Sequence, residues 1–572
     1  MNPELLLKQF DRISDAPDAI PRLRRFILDL AVRGKLVEQD PTDEPASALI
    51  RRVQVRKAEI TKEGAVRREK PLPPLAENEL PFRLPPTWRW SQIAEIGFLN
   101  PRNTADDQVQ SSFVPMPRIS AEYGVSNTHE VKPWGEIKNG FTHFAEGDVA
   151  LAKITPCFEN GKSTIFRGLT GGIGSGTTEL HVVRPLIVSA DYVLVFLKCP
   201  HFIETGISKM TGTAGQKRVP TEYFAYSPFP LPPLDEQHRI VAKVEELMAL
   251  CEQLEAIRCE REKRRDWLTA ASYHHLNNGA SAEATRKHAN FCISHLPTIT
   301  ARPKQIPDLR EAILNLGVRG QLIRQDANDE PVSKLLKRIH AEQQRLISDG
   351  TIPKPKLQPL DSHAALTFES PKNWELVTFG CLCNIVTSGS RGWAEYYSES
   401  GPKFIRAQNI RFGRLRLDDL ACVNPPKRSE GTRTQVSKGD LLVVITGAGV
   451  TNPALLDESL GEAYVSQHVA LIKPTDTNLS SWLLLCLMAP MGGRAELVKR
   501  AYGAGKPGLN LDNIRSLPIP LPPLAEQQRI VAKVDELTRL CAQLEAHLAT
   551  AQTETSRLLD AVLHEALSSP AP

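Results

Sequence analysis

Apolar residues recur at Ile240, Val244, Leu247, Cys251 and Leu254, at spacings of 4, 3, 4 and 3. Ile530, Val534, Leu537, Cys541, Leu544 and Leu548 repeat the pattern near the other end of the chain. This spacing predicts helices carrying a narrow coiled-coil seam rather than a broad core-facing stripe. A surface helix packed on its own domain is the alternative source of the same pattern. Pro232 and Pro233 forbid helix behind the first segment, and Asp235 with Glu236 suits a positive N-terminal turn. The first helix runs on through "IRCEREKRRDWLTAASYHHL", which makes it roughly 40 residues and roughly 60 Å long. Elsewhere the pattern changes to short β-branched and aromatic runs broken by Gly, Pro and Asn. "GDVALAKITPCFENGKSTIF" and "GDLLVVITGAGVTNPALL" predict strands and turns of an α+β, or α/β-like, domain.

The two helical patterns belong to a duplication. "PLPPLDEQHRIVAKVEELMALCEQLEA" (Pro230 to Ala256) and "PLPPLAEQQRIVAKVDELTRLCAQLEA" (Pro520 to Ala546) agree at 21 of 27 positions. "LRRFILDLAVRGKLVEQDPTDEPASALIRRV" from Leu23 matches "LREAILNLGVRGQLIRQDANDEPVSKLLKRI" from Leu309, and Trp88 matches Trp374. "FVPMPRI" from Phe113 aligns with "FIRAQNI" from Phe404, Gly147-Asp148 with Gly439-Asp440, and "YVLVFLKCP" from Tyr192 with "WLLLCLMAP" from Trp482. The offset stays between 286 and 292 residues, far too long for a solenoid repeat. Two copies of a whole module are therefore expected. Their flanks are nearly identical while residues 90–225 and 376–515 share only sparse anchors, so the flanks do one job twice and the middles do two different jobs of one type.

Composition narrows the field without deciding it. A chain of 572 residues should divide into several domains. The ten Cys are scattered, and Cys381 and Cys383 are too close for a usual zinc pair, so free cytosolic thiols and no metal site are expected. No secretory signal opens the chain, and the longest apolar run, "WLLLCLMAPM", is half a membrane span. A cytoplasmic protein is the expectation. The net charge of +4 is too mild to establish a nucleic-acid partner, so a basic surface must be local.

One such region is Ser388 to Leu417, with six Lys/Arg against two Glu and interleaved Trp393, Tyr396, Tyr397, Phe404 and Phe412. Arg, Asn and Gln have the paired donors and acceptors that fit base edges. Arg391, Arg406, Gln408, Asn409, Arg411 and Lys506 are the candidate DNA contacts there, and Arg118, Lys153, Lys162, Lys217 and Arg218 those in the first middle. A 60 Å helix would exceed the ~34 Å of one DNA turn, so two of them could hold such modules apart. Catalytic motifs fail. "VNPPK" (Val423 to Lys427) lacks the aromatic fourth residue that would stack a flipped adenine. "GGIGSGTT" (Gly171 to Thr178) fits neither a dinucleotide fingerprint nor a P-loop, and "ENGKST" (Glu159 to Thr164) lacks the upstream glycine.

With these residues in hand, the chain resembles the specificity subunit (HsdS) of a type I restriction–modification system over nearly its full length. The doubled "PLPPLxEQxRIVAKV(E/D)EL", the "LPPTW" and "SPKNW" approaches to Trp88 and Trp374, "GDVALAKITPCFENGKS", and the glycine-rich segments around Gly215 and Gly505 carry the resemblance. It implies two globular target recognition domains, each reading one half of a split DNA sequence, separated by long antiparallel coiled-coil helices with an internal pseudo-twofold repeat. The expected divisions are 1–85 (helical), 86–229 (first recognition domain), 230–371 (central, with the long helix), 372–519 (second recognition domain) and 520–572 (C-terminal helix). Ile240, Val244, Leu247, Cys251, Leu254, Ile530, Val534, Leu537, Cys541 and Leu544 are expected to pair helices and seat partners. The resemblance further implies two methyltransferase (HsdM-type) subunits that methylate adenine N6 with S-adenosylmethionine. It also implies two motor-nuclease (HsdR-type) subunits using ATP and Mg²⁺, with no catalysis and no cofactor on this chain. A coiled-coil scaffold bearing two ligand-binding modules is the competing reading; a lone nuclease or methyltransferase would need motifs the sequence lacks.

Overall fold

The computed structural model describes residues 16–63, 71–77, 80–213, 215–278, 282–354, 356, 368, 370–389, 391–426, 433–501 and 508–568. The chain forms two compact units, one from residues up to 261 together with 552 onward, the other from 262–551.

The first unit opens with helices α1 (Ala19–Val32) and α2 (Ala46–Lys62). Strand β1 (Arg89–Gln92) pairs with β10 (Pro228–Leu231), so the segment between leaves and returns through one two-stranded gate. Inside that gate lie β2 (Gly97–Leu99), β3 (Gln110–Val114), β4 (Glu130–Pro133), β5 (Thr142–Ala145), β6 (Val149–Ala152), β7 (Ser163–Ile165), β8 (Ile173–Gly176) and β9 (Leu180–Pro185). They build two four-stranded sheets, ordered β2-β9-β6-β7 and β4-β3-β8-β5, with β3 and β8 parallel. Helices α3 (Ala190–Lys198), α4 (Pro200–Lys209) and α5 (Thr221–Tyr226) lead back to the gate, and α6 (Leu234–Asn277) follows.

The second unit runs in the same order after α7 (Ala282–Ser294). Helices α8 (Ile306–Val318) and α9 (Val332–Ser348) precede the gate of β11 (Glu375–Thr378), which will pair with β21 (Pro518–Leu521). Between them come β12 (Cys383–Ser388), β13 (Tyr397–Ile405), β14 (Ile410–Arg411), β15 (Arg414–Leu415), β16 (Ala421–Val423), β17 (Leu441–Val444), β18 (Pro453–Leu455), β19 (Ala463–Val465) and β20 (Val469–Pro474). Their sheets are β12-β20-β17-β18 and β16-β13-β19, with β13 and β19 parallel. Helices α10 (Ser480–Met488), α11 (Ala495–Arg500) and α12 (Leu511–Arg515) precede β21, and α13 (Leu524–Ser568) ends the described chain.

The apolar runs "VALA" and "LLVV" are buried throughout because each strand separates two cores. Val149 and Leu151 face the larger core with Trp88, Tyr192, Phe229 and Ile240, while Ala150 and Ala152 face a smaller one with Val114, Phe144 and Phe166. Leu441 and Val443 likewise join Trp374, Trp482, Ile519 and Ile530, whereas Leu442 and Val444 join Ile405, Val465 and Leu471. A period-two strand buried on both faces must be apolar at every position. The glycines of "GGIGSG" serve the fold. A Cβ on Gly174 would lie 2.4 Å from the Ser112 carbonyl oxygen and 2.5 Å from the Phe144 ring, so β8 needs them to pass between β3 and that ring.

The repeated motif has a chemical explanation. Arg529 grips Asp329 through two bonds of 3.0 and 2.6 Å, and Arg239 grips Asp43 at 3.2 and 2.6 Å. Gln527 and Gln237 donate to the carbonyls of Pro522 and Pro232 at 2.8 and 2.9 Å, closing the proline turn onto the helix. Glu526 accepts from the Trp374 indole at 3.0 Å and from Asn373 at 3.1 Å, while Glu236 accepts from Gln39 at 2.6 Å. Burial raises both glutamates' pKa values against the opposing pull of these donors. The E-Q-x-R run thus bolts the start of each long helix to its "DEP" turn, with the glutamate reaching Trp374 in the second unit and Gln39 in the first.

The helices are 44 and 45 residues long, and by the division of the chain each starts in one unit and ends in the other. Ile240, Val244 and Cys251 lie in their own unit's core with Leu247 packed against it, while Leu254 is exposed. Ile530, Val534 and Cys541 do the same in the second unit, with Leu537 and Leu544 packed alongside. The first three turns of each seam therefore follow the alternative of a helix packed on its own domain. The far end of α13 packs Leu559 and Val562 against Ala16 and Ala19, and Asp560 pairs with Arg22.

Candidate nucleic-acid interface

The candidate contacts of the first unit come from loops that leave the C-terminal ends of β3 and β6. Beyond β3, a 3₁₀ turn (Met116–Arg118) carries Arg118, which reaches Glu130 at 3.3 Å. Beyond β6, the segment 153–162 begins with Lys153 and ends with Lys162, whose ammonium donates to the Met116 carbonyl at 3.3 Å and so joins the two loops. A third stretch lies alongside: the Thr155 amide donates to the Lys217 carbonyl at 3.0 Å, and the Val219 amide to the Lys153 carbonyl at 2.8 Å. The five predicted cations of this unit are thus gathered by three loops. Arg218 is committed to Glu179 through bonds of 2.9 and 2.8 Å, and this pairing holds the Glu179 carboxyl below its ordinary pKa. A phosphate at Arg218 would have to compete with that carboxylate.

The second unit uses the same strand ends. After β13, a 3₁₀ turn (Ala407–Asn409) occupies the position of the Met116–Arg118 turn, and the β14–β15 hairpin follows. The hairpin is fastened to the start of β18 by the Gly413 amide, 2.9 Å from the Pro453 carbonyl. Gly389, just ahead of Arg391, lies against the backbone of Val465 and Ser466, and the Ser466 amide donates to Ile405 at 2.9 Å. Arg391 follows two residues after the Gly389 contact. Lys506 lies outside the described residues. The flanking bridge between Thr446 and Gly508 brings the chain that leads out of its glycine-rich segment to the loop after β17.

The residues differ in what they can still bind. Lys217, Arg391, Gln408 and Arg411 are exposed and make no side-chain hydrogen bond or ion pair among the described residues. Arg406 donates to the Asp419 carbonyl at 3.3 Å. Asn409 is 1% exposed. Its amide oxygen accepts from the Arg406 backbone at 2.9 Å and its nitrogen donates to Asp419 at 2.8 Å, so it shapes the loop and presents nothing to a base. Phe412, one of the aromatics interleaved in the basic stretch, gains a partner that sequence inspection did not point to: the Arg494 guanidinium stacks 5.0 Å over its exposed ring and donates to the Thr451 carbonyl, linking the hairpin tip to the loop after β17. The Phe-Gly pair in a basic hairpin was the available signal.

Gly147-Asp148 and Gly439-Asp440 sit where each central strand begins. Asp148 accepts from Arg184 at 2.7 and 2.8 Å, and Asp440 from Lys473 at 2.6 Å; burial raises both carboxyl pKa values against those cations. These acids organise the sheet that presents the loops. Among the described residues no group of three or more His, Cys, Asp or Glu could hold a metal ion.

A family profile described as the type I restriction modification DNA specificity domain matches residues 371–551. The chain is 37% identical over 556 residues to the type I restriction enzyme EcoAI specificity subunit of Escherichia coli, covering 96% of this chain and 94% of that protein. It belongs to the type I specificity subunits. The EcoEI specificity subunit of Escherichia coli is similar to the same extent, 38% identical over 567 residues, with 96% and 94% covered. The crystal structure of an HsdS subunit from Thermoanaerobacter tengcongensis is matched at 22% identity over 86% of this chain and 99% of that one, with a TM-score of 0.46. As a specificity subunit the chain is a sequence-specific DNA-binding component of a multisubunit restriction–modification system, and not its catalyst. No helix among the described residues is long and apolar enough to cross a membrane.

Proposed function

We propose that each loop cluster reads one half of a bipartite DNA target. Residues 86–229 form one target recognition domain and 372–519 the other, in frames supplied by 1–85, 230–371 and 520–572. The distal parts of α6 and α13 pair antiparallel as a coiled-coil spacer, give the chain a pseudo-twofold relation and set the distance between half-sites. The repeated frame seats two methyltransferase subunits, which methylate adenine N6 with S-adenosylmethionine, and two motor-nuclease subunits using ATP and Mg²⁺. Those cofactors belong to the partners.

One observation supports this reading above the others: the same Arg-Asp and Gln-Pro bolts and the same strand ends recur in both units while the loops they present carry different side chains. Identical seats suit two copies of one partner, and different loops suit two different half-sites. Lys153, Lys162, Lys217, Arg218 and Arg118 serve the first half-site; Arg391, Arg406, Gln408, Arg411 and Lys506 serve the second, with Asn409 holding the loop from beneath. The test is a binding selection from random duplexes using the chain with its methyltransferase partner. A footprint in two separated halves is expected, and Arg406→Ala should weaken one half alone by about tenfold. Binding without sequence preference would sink the proposal.

A further inference from the structure

Lys198, the last residue of α3, is 6% exposed. Its ammonium donates to the Ala121 carbonyl at 2.9 Å and to the Gly161 carbonyl at 3.1 Å. A lysine is seldom buried without a carboxylate against it, and this one is held by carbonyls of two separate loops. Ala121 lies three residues beyond Arg118, and Gly161 directly precedes Lys162. The two acceptors are therefore in the two loops that Lys162 itself joins. Gly161 is in a left-handed turn with φ +70°, and a Cβ there would stand 3.1 Å from Ile203 on α4, so the turn rests on the helices as well.

The equivalent position in the second unit is Met488, the last residue of α10. The register is fixed by contacts: six residues earlier, the Tyr192 hydroxyl donates to the Pro230 carbonyl at 2.8 Å, and the Trp482 indole donates to the Pro520 carbonyl at 3.0 Å. Met488 lies beneath the hairpin turn between β14 and β15. A Cβ on Gly413 would come 2.6 Å from its Cε and 2.9 Å from its Sδ, and Gly413 has φ +77° between Phe412 and Arg414. One helix end therefore touches the candidate recognition loops in both units, by hydrogen bonds to carbonyls in one and by packing under a glycine turn in the other.

We propose that this position is a positioning residue for DNA specificity: Lys198 sets the loops of the first half-site and Met488 sets the hairpin of the second. The proposal rests on the half-site reading above. A side chain that presents a base contact must be held within a fraction of an ångström, and a helix end anchored in the larger core is the stiff element nearest the loops. The nature of the residue follows the loop it carries. Two outward carbonyls call for a cation with several donors, and a glycine turn offers only room for a flexible thioether.

The experiment uses the full chain expressed with its methyltransferase partner, and reads N6-methyladenine across a genome for the wild type, Lys198→Met and Met488→Ala. Each variant should relax one half of the motif only, with methylation at single mismatches in that half rising about tenfold relative to the cognate site. The two variants should relax opposite halves. Equal relaxation of both halves by either variant, or unchanged discrimination in assembled complexes, overturns the proposal. Should Lys198→Met fail to accumulate, Met488→Ala decides by the same criteria. A wild type without a bipartite motif would instead remove the half-site reading itself.

Discussion

Arg529 and Asp329 form a charge-assisted pair whose acid is almost wholly covered. Arg529→Ala leaves that carboxylate without its two donors, so a loss of about 1–3 kcal/mol in unfolding free energy is expected at neutral pH, read from the urea midpoint. The pairing holds the Asp329 carboxyl below its ordinary range. Its contribution is present above the pKa of the unfolded acid and is lost as pH falls through the lower folded value. The deficit of the variant should therefore shrink in acid. The Lys198 pKa is lowered as well, so its linkage has the same sign, although the cause is burial of a charge rather than pairing. Burial pushes it down to about 7, with Glu122 pulling upward, and Arg24, Arg25, Glu159, Glu204 and Glu252 are the other charged groups lining the adjoining cavity. Between that value and the ordinary lysine range the unfolded chain holds a proton that the folded chain lacks. Stability should rise with pH there by up to about 1.4 kcal/mol per unit, and Lys198→Met should flatten the slope in a urea series from pH 7 to 9.

At the level of elements, the "VRG" end of the frame helix depends on its glycine. Gly320 has φ +68°, and a Cβ there would stand 2.8 Å from both Pro371 and the Trp374 ring; Gly34 is placed the same way against Pro85 and Trp88. Gly320→Ala is expected to cost roughly 2 kcal/mol or more, since backbone strain and a clash with the Trp gate act together. Gly350→Ala supplies the control. Its φ is also +68°, but nothing lies within 4 Å of the added carbon, so strain alone should cost about 1 kcal/mol. Thermal unfolding of the two variants separates the contributions. The long helices follow the same logic: their N-terminal turns are fixed by packing and by the Glu-Gln-Arg bolts, whereas their lengths carry them beyond the unit in which they begin.

For the whole molecule, a mild net charge hides two local basic loop clusters, and DNA affinity should fall steeply with salt. Lys217→Ala and Arg411→Ala should each lower the slope of log K against log salt by about one, weakening cognate and non-cognate duplexes alike. Arg406→Ala should instead act on the discrimination between them. Binding titrations at several salt concentrations distinguish these outcomes.

The sequence by itself determined the frame. Long helices, strands buried on both faces, the proline stops and the doubled motif are patterns legible along the chain. It also pointed to the loops that hold the candidate contacts. Which side chains remain available there was settled only by tertiary structure. Asn409 has the chemistry of a base reader but is consumed by its own turn, Arg218 is held by Glu179 from 39 residues away, and the partners of Lys198 lie 77 and 37 residues away. Local propensity is set by neighbours along the chain, whereas the availability of a donor depends on groups that folding brings from far away.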